Sequence, residues 1–153
     1  MGADKFIELM QHGEHTEENW REAWDQVRAS TAMEPHDVKL QSVDAEQLVL
    51  EMEIGDHARQ PFGLLHGGMS MLLAESAASM HSCWGLDITE RFPVGIEING
   101  SHIRSAAAGI IEVRAKLIRR SSTLVHHRVE VVDVDEEREL SIIRTTNLLR
   151  DVR

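Results

Sequence analysis

Glu75 is the one formally charged side chain between Arg59 and Asp87. It stands in "RQPFGLLHGGMSMLLAESAASMHSCWG", among Met, Leu, Ala and Ser. Burying a carboxylate without partners is costly, so such a group is either met by polar side chains or put to use. Ser79 lies four residues on, hence on the same side of a helix. Upstream, the "HGG" of His66, Gly67 and Gly68 stands where that helix begins. Glycine lets a ligand approach the backbone closely, and free N–H groups at a helix start attract negative charge. An oxyanion hole needs both properties. Gln60 and His66 flank the turn and offer further donors. A carboxylate, an amide nest, a histidine, a glutamine and a serine within 20 positions suggest acyl transfer or hydrolysis. Each residue also has a plainer reading: Glu75 as a structural pair, His66 as a loop cap, Gln60 as a surface amide.

The elements that must position these residues follow from periodicity. Thr16 can cap a helix over "EENWREAWDQVRAS", where Trp20, Ala23, Trp24 and Val27 form one apolar stripe. In "EQLVLEMEI", Leu48, Leu50, Met52 and Ile54 alternate with polar positions, the pattern of a half-buried strand. A helix is expected from about Met69 to Trp84. It is apolar or small on nearly every side, so it should be buried with a dry middle. Four strand-like runs follow: "FPVGIEINGSHIRS", "GIIEVRAKLI", "TLVHHRVEVVDV" and "ELSIIRTTNLL". Their short connections predict an antiparallel meander. The fold class is α+β, one antiparallel sheet packed around a buried helix, with an extra N-terminal helix. Residues 1–35 read as a helical extension and 36–153 as the main domain.

Composition narrows the function. With 153 residues, 42% hydrophobic and 27% charged, the chain suits one soluble domain. The net charge of −10 argues against general nucleic-acid binding. It leaves room for a phosphate-bearing small molecule at Arg104 or at the Arg119–Arg120 pair. No apolar run is long enough for a membrane span, and the first 20 residues carry no apolar leader core. The single cysteine, Cys83, has no partner for a disulfide or a redox motif. A cytoplasmic location is expected. His126 and His127 are strand neighbours that point to opposite faces, and no zinc spacing occurs, so no metal site is expected. There is no GxSxG, GxGxxG or Walker A pattern.

"RQPFGLLHGGMSMLLAESAAS" together with "GIEINGSHIRSA" resembles the hotdog-fold acyl-CoA thioesterases. The branch is the one that includes 1,4-dihydroxy-2-naphthoyl-CoA hydrolases and the enterobactin-pathway proofreading thioesterase. The resemblance runs from about Glu46 to Leu149 and is independent of the N-terminal helix. It implies a sheet wrapped around the central helix and a homodimer or homotetramer with active sites shared between subunits. Glu75 would be the nucleophile or the general base, the choice between them staying open. Gly67 N–H would hold the thioester oxygen with help from Gln60. His66 would orient the thioester, and Ser79 would place water or the carboxylate. His102, Arg104 and Ser105 would lie near the coenzyme A nucleotide, as would Arg120 in "IRRSS", where the family usually has glycine. Leu72, Met71 and Phe62 would form the acyl pocket, and a dry site would sharpen the carboxylate. No cofactor is implied, since coenzyme A is part of the substrate.

The expected activity is therefore hydrolysis of an acyl-CoA with an aromatic or medium-sized acyl group, 1,4-dihydroxy-2-naphthoyl-CoA among the candidates. A thioesterase acting on acyl carrier protein is one alternative, although an acidic partner would need a basic docking patch. A non-catalytic acyl-CoA-binding protein of the same fold is the other, and it would not need Glu75.

Overall fold

The structure is a computed structural model that describes residues 6–8, 10 and 15–152. Half of the stretch considered above for a leader therefore lies outside the described residues. Helix α1 spans Glu17–Arg28 and begins where the sequence places it, with Thr16 Oγ1 accepting from Asn19 N–H at 3.2 Å. Its acidic first turn, Glu17 and Glu18, suits the positive end of the helix dipole. The apolar stripe is buried: Trp20, Ala23 and Trp24 are 0%, 0% and 3% exposed.

Six strands form one antiparallel sheet. They are β1 (Lys39–Val43), β2 (Gln47–Glu53), β3 (Arg91–His102), β4 (Ile110–Arg120), β5 (Leu124–Asp133) and β6 (Arg138–Asp151), in the spatial order β1-β2-β4-β5-β6-β3. Two expectations are corrected. β1 was not anticipated, because five residues of "KLQSV" are too short for alternation to declare itself. The last four strands are not a simple meander. Only β4, β5 and β6 are sequential neighbours; β3 crosses over to the far edge beside β6, and β2 pairs with β4.

Helix α2 spans Gly67–His81 and packs against β2, β3, β4, β5 and β6. It starts two residues earlier and ends three earlier than periodicity suggested, because its ends are set by caps rather than by apolar spacing. The helix and the inward strand positions make the core, including Leu48, Leu50, Met52, Ile111, Val113, Ala115 and Val129. Full burial of each such aliphatic side chain contributes about 1.5–3 kcal/mol. Helix α1 shares this core. Trp24 Nε1 donates to Val38 O at 2.9 Å, and Trp20 stacks on Trp84, just beyond α2, with centroids 5.6 Å apart. Arg21 donates to the carbonyls of Leu40 and Gln41. Helix α1 thereby covers the β1 edge, whereas no described element pairs with the outer edge of β3. Among the described residues no helix is long and apolar enough to cross a membrane.

Two bulges decide which side chains face α2. In β3 the register shifts between Gly95 and Glu97, so Ile96 is the extra residue. Beyond it Ile98, Gly100 and His102 share the helix-facing side with their β6 partners Thr145, Ile143 and Ser141. In β4 the shift between Leu117 and Arg119 makes Ile118 the extra residue and turns Arg120 toward α2. Without each bulge, every later residue would face the opposite way.

Candidate functional site

The loop before α2 is tied down at several points. Arg59 donates to Ala107 O at 2.9 Å and to Ile54 O at 3.2 Å, and pairs with Asp56 at 2.7 Å. Gln60 N–H donates to Leu64 O at 2.8 Å, and the tight turn between them needs Gly63 at φ +81°. Leu65 N–H donates to Ala106 O and His66 N–H to Ala58 O, both at 2.8 Å. This delivers His66 as the N-cap of α2.

His66 Nδ1 accepts from Gly68 N–H at 2.8 Å, and its carbonyl accepts from Met69 N–H at 2.9 Å. Gly67 N–H has no partner among the described residues. An unpaired, partly exposed N–H at the positive end of a helix is a ready acceptor site for a developing oxyanion. Gly67 is glycine for a second reason. A Cβ there would lie 2.6 Å from His102 Nε2. The His102 ring is fixed from its other side, Nδ1 standing 2.8 Å from Ser141 Oγ. Gln60, Gly67, His102, Arg104 and Ser105 all line one cavity of about 200 Å³ at this helix end. Arg104 is exposed and donates one bond, to Glu139 O at 2.9 Å, leaving other donors of its guanidinium for a ligand. Five of the nine predicted residues thus meet in one place, with His66 exposed beside Gly67.

Glu75 is elsewhere. It lies eight residues after Gly67, roughly 12 Å along the helix axis. The expectation of a dry, desolvated carboxylate is corrected: within one chain Glu75 is exposed. The helix is buried against the sheet on one side, but this turn looks outward past β3, an edge strand. Its carboxylate rests on Gly95, where a Cβ would come within 2.5 Å of Glu75 Oε1. Ser79, one turn on, accepts from Asn147 Nδ2 at 2.8 Å. Phe62 does not line a pocket in the chain either; it sits at the loop tip and is 89% exposed. Met71 and Leu72 are half-buried against the core.

Arg120 is not brought to the cavity. The β4 bulge aims it at the C-terminal end of α2, where it donates to Ser82 O at 3.1 Å and His81 O at 3.4 Å. That end lies about 22 Å from Gly67. Arg120 therefore caps helix carbonyls and does not join the five residues that line the cavity of this chain. The same end holds a buried histidine pair. His81 Nε2 lies 2.9 Å from Asp44 O, a carbonyl that can only accept, so His81 carries its proton on Nε2. Its Nδ1, 2.7 Å from His127 Nε2, must then accept from His127. Burial pushes the pKa of His127 down to about 3, helped by the neighbouring His81 and Arg120, and burial lowers His81 as well. Both rings are neutral. His126 turns the other way and meets Thr146 Oγ1 at 3.1 Å, as strand alternation required. Cys83 is buried, its thiol pushed up to about 12, so it is no nucleophile.

The sequence reading missed Ser141, Gly95 and Asn147. A signal for the first and last existed. The helix-facing positions of β6 run Ser141, Ile143, Thr145, Asn147, Leu149, and polar residues among apolar ones on an inward face stand out once the register is known.

Comparison with known proteins agrees with this architecture. A 1,4-dihydroxy-2-naphthoyl-CoA hydrolase of Listeria monocytogenes is 32% identical over 116 residues, covering 76% of this chain and 93% of the relative. The protein of the same name from Escherichia coli is 33% identical over 102 residues, 67% of this chain and 72% of the relative. The crystal structure of a mutant of thioesterase PA1618 from Pseudomonas aeruginosa superposes with a TM-score of 0.82 at 27% identity, covering 86% of this chain and 94% of that one. The family model described as thioesterase superfamily matches residues 62–140, from the loop before α2 through the start of β6. The chain has the hotdog fold and belongs to the thioesterase superfamily.

Proposed function

We propose that the protein hydrolyses an acyl-CoA thioester to the free acid and coenzyme A, at a site completed by a second copy of the chain. The observation that carries this reading is the separation of two half-sites along α2. Gly67 N–H and the Glu75 carboxylate are both suited to thioester hydrolysis, yet lie roughly 12 Å apart along one helix. One carbonyl carbon cannot reach both in the same chain. If two chains join along the open edge of β3, Gln60, His66 and Gly67 of one can face Glu75 and Ser79 of the other. Such pairing would also cover Glu75 and supply the water exclusion that a single chain lacks.

In this scheme the thioester oxygen sits at Gly67 N–H with Gln60 assisting, and His66 orients the thioester. Glu75 either takes a proton from water, whose oxygen attacks the carbonyl carbon, or attacks it directly. The first route gives a tetrahedral oxyanion that collapses by breaking the C–S bond, and the departing thiolate recovers the proton. The second breaks the C–S bond, the departing thiolate taking a proton from solvent, and leaves an acyl-glutamate anhydride that water then opens to the acid and free Glu75. His102, Arg104 and Ser105 face the coenzyme A portion. Two solved mutants of Staphylococcus aureus protein SAV0944 replace a glutamate and a glutamine with alanine; these stand 15 residues apart, the spacing of Gln60 and Glu75. An aromatic acyl group such as 1,4-dihydroxy-2-naphthoyl is favoured by the names of the relatives.

The test is coenzyme A release across aryl, short-chain and long-chain acyl-CoAs, with wild type and Glu75→Gln. Glu75→Gln is expected to lower kcat by about 10² or more on the best substrate. Turnover close to wild type in that variant would remove Glu75 from the chemistry. Thioester binding without release in the wild type would favour a non-catalytic binding protein.

A further inference from the structure

Three serines in and just after α2 behave differently. Ser76 Oγ donates to Leu72 O and Ser82 Oγ donates to Ala78 O, each at 2.8 Å, the back-bond to the carbonyl four residues earlier that helical serines commonly make. Ser79 lies between them and accepts instead from the Asn147 amide at 2.8 Å. Asn147 is 1% exposed, on the inward face of β6. Its partner across the β6–β3 ladder is Gly95, the residue against which the Glu75 carboxylate rests. One ladder pair therefore touches both functional side chains of this turn. Gly95, by having no Cβ, leaves room for the carboxylate; Asn147, by offering an amide, draws the serine off its own helix.

We propose that Asn147 is a positioning residue for the reaction, holding Ser79 so that its hydroxyl proton is directed at the Glu75 carboxylate one turn earlier. An amide N–H has only one role, so Ser79 Oγ must accept from it. The serine's single proton then remains to be donated, and turning the hydroxyl toward the sheet takes it away from the helix carbonyl that claims the proton in Ser76 and Ser82. A hydroxyl held in one orientation fixes the rotamer of the carboxylate it serves, which a base or nucleophile requires. The inference rests on the reading of Glu75 given above.

Steady-state coenzyme A release tests it with Asn147→Ala, Ser79→Ala, the double variant and Glu75→Gln. Asn147→Ala should lower kcat about tenfold with KM nearly unchanged. Ser79→Ala should do the same, and the double variant should match Ser79→Ala alone, because Asn147 acts through that hydroxyl. Where Asn147→Ala folds poorly, Asn147→Val fills the site, suits a strand and still lacks the amide. Effects that multiply in the double variant, or a lowered Tm with kcat intact, would overturn the positioning role. If Glu75→Gln stays active, the reading of Glu75 fails and takes this inference with it. If Glu75→Gln is inactive while Asn147 variants keep the wild-type kcat, only the inference fails.

Discussion

The two ends of α2 carry opposite halves of one helix dipole and are treated in opposite ways. At the Gly67 end an N–H is left unpaired and open, beside a cavity and among exposed residues. At the Ser82 end the carbonyls are closed off by Arg120, and His81, Ser82 and Cys83 are buried. Charge at the first end is available for a ligand; charge at the second is neutralised within the fold. On the function proposed above, the difference separates reaction from stability along a single element. Changes at the Gly67 end should reach the reaction, and changes at the Ser82 end should reach Tm and leave the chemistry alone.

The sharpest test of the open end is Gly67→Ala. The added methyl would meet the His102 ring, which Ser141 holds from behind. Displacing the ring or the helix start by even 1 Å is expected to lower kcat/KM by about 10²-fold. Normal kinetics with an undisturbed His102 signal would show that the contact has no part in the site.

Whether the open end works with Glu75 of another chain can be measured by mixing. Glu75→Ala and Gln60→Ala proteins are each expected to be nearly inactive. After subunit exchange, about half the dimers are hybrid, and each carries one intact site. Activity should recover to about a quarter of wild type, from random pairing of two-fold dimers. Exchange proven by mass spectrometry without recovery would rule out a shared site.

At the closed end the expected effect is on stability. His127 and His81 have folded-state pKa values below the ordinary 6.5, His127 at about 3. The unfolded chain therefore takes up protons first as pH falls. The contribution of the neutral pair is present above about pH 6.5 and is lost progressively as pH falls from there toward 3. Tm measured over this range should decline, and His127→Gln, which keeps an amide donor, should flatten part of that decline. Equal slopes in the two proteins would place the acid sensitivity elsewhere.

The smallest effect belongs to Arg104. It is exposed, so a contact with a nucleotide phosphate contributes about 1 kcal/mol, less at high salt. Arg104→Ala should raise KM for an acyl-CoA several-fold, should spare a truncated pantetheine thioester, and should lose its effect as salt rises. Equal impairment of both substrates would move Arg104 away from the nucleotide.

The neighbourhood of the candidate site was legible in the sequence because its signals are local. "HGG" ahead of a small, apolar helix marks a helix start with open amides, and a lone carboxylate two turns on marks itself by contrast. The strands β2 to β6 were legible for the same reason, since the pattern within each run depends only on which side is buried. What lay beyond reach was the pairing of distant segments. The crossover that sends β3 to the far edge depends on competition among strands for partners, and no single segment records it. The bulges at Ile96 and Ile118 arise from mismatch between paired strands, yet they decide that His102 faces Gly67 and that Arg120 caps a helix instead of facing solvent. Exposure of Glu75 was likewise misread, since an apolar helix shows that it will be buried and not what will bury each face. The sequence alone thus determined the chemistry of the residues and the elements that carry them, because both depend on neighbours within a few positions. Only the tertiary structure decided which side chains meet, because a strand's register and edge, and the open side of a helix, are properties of what packs against them.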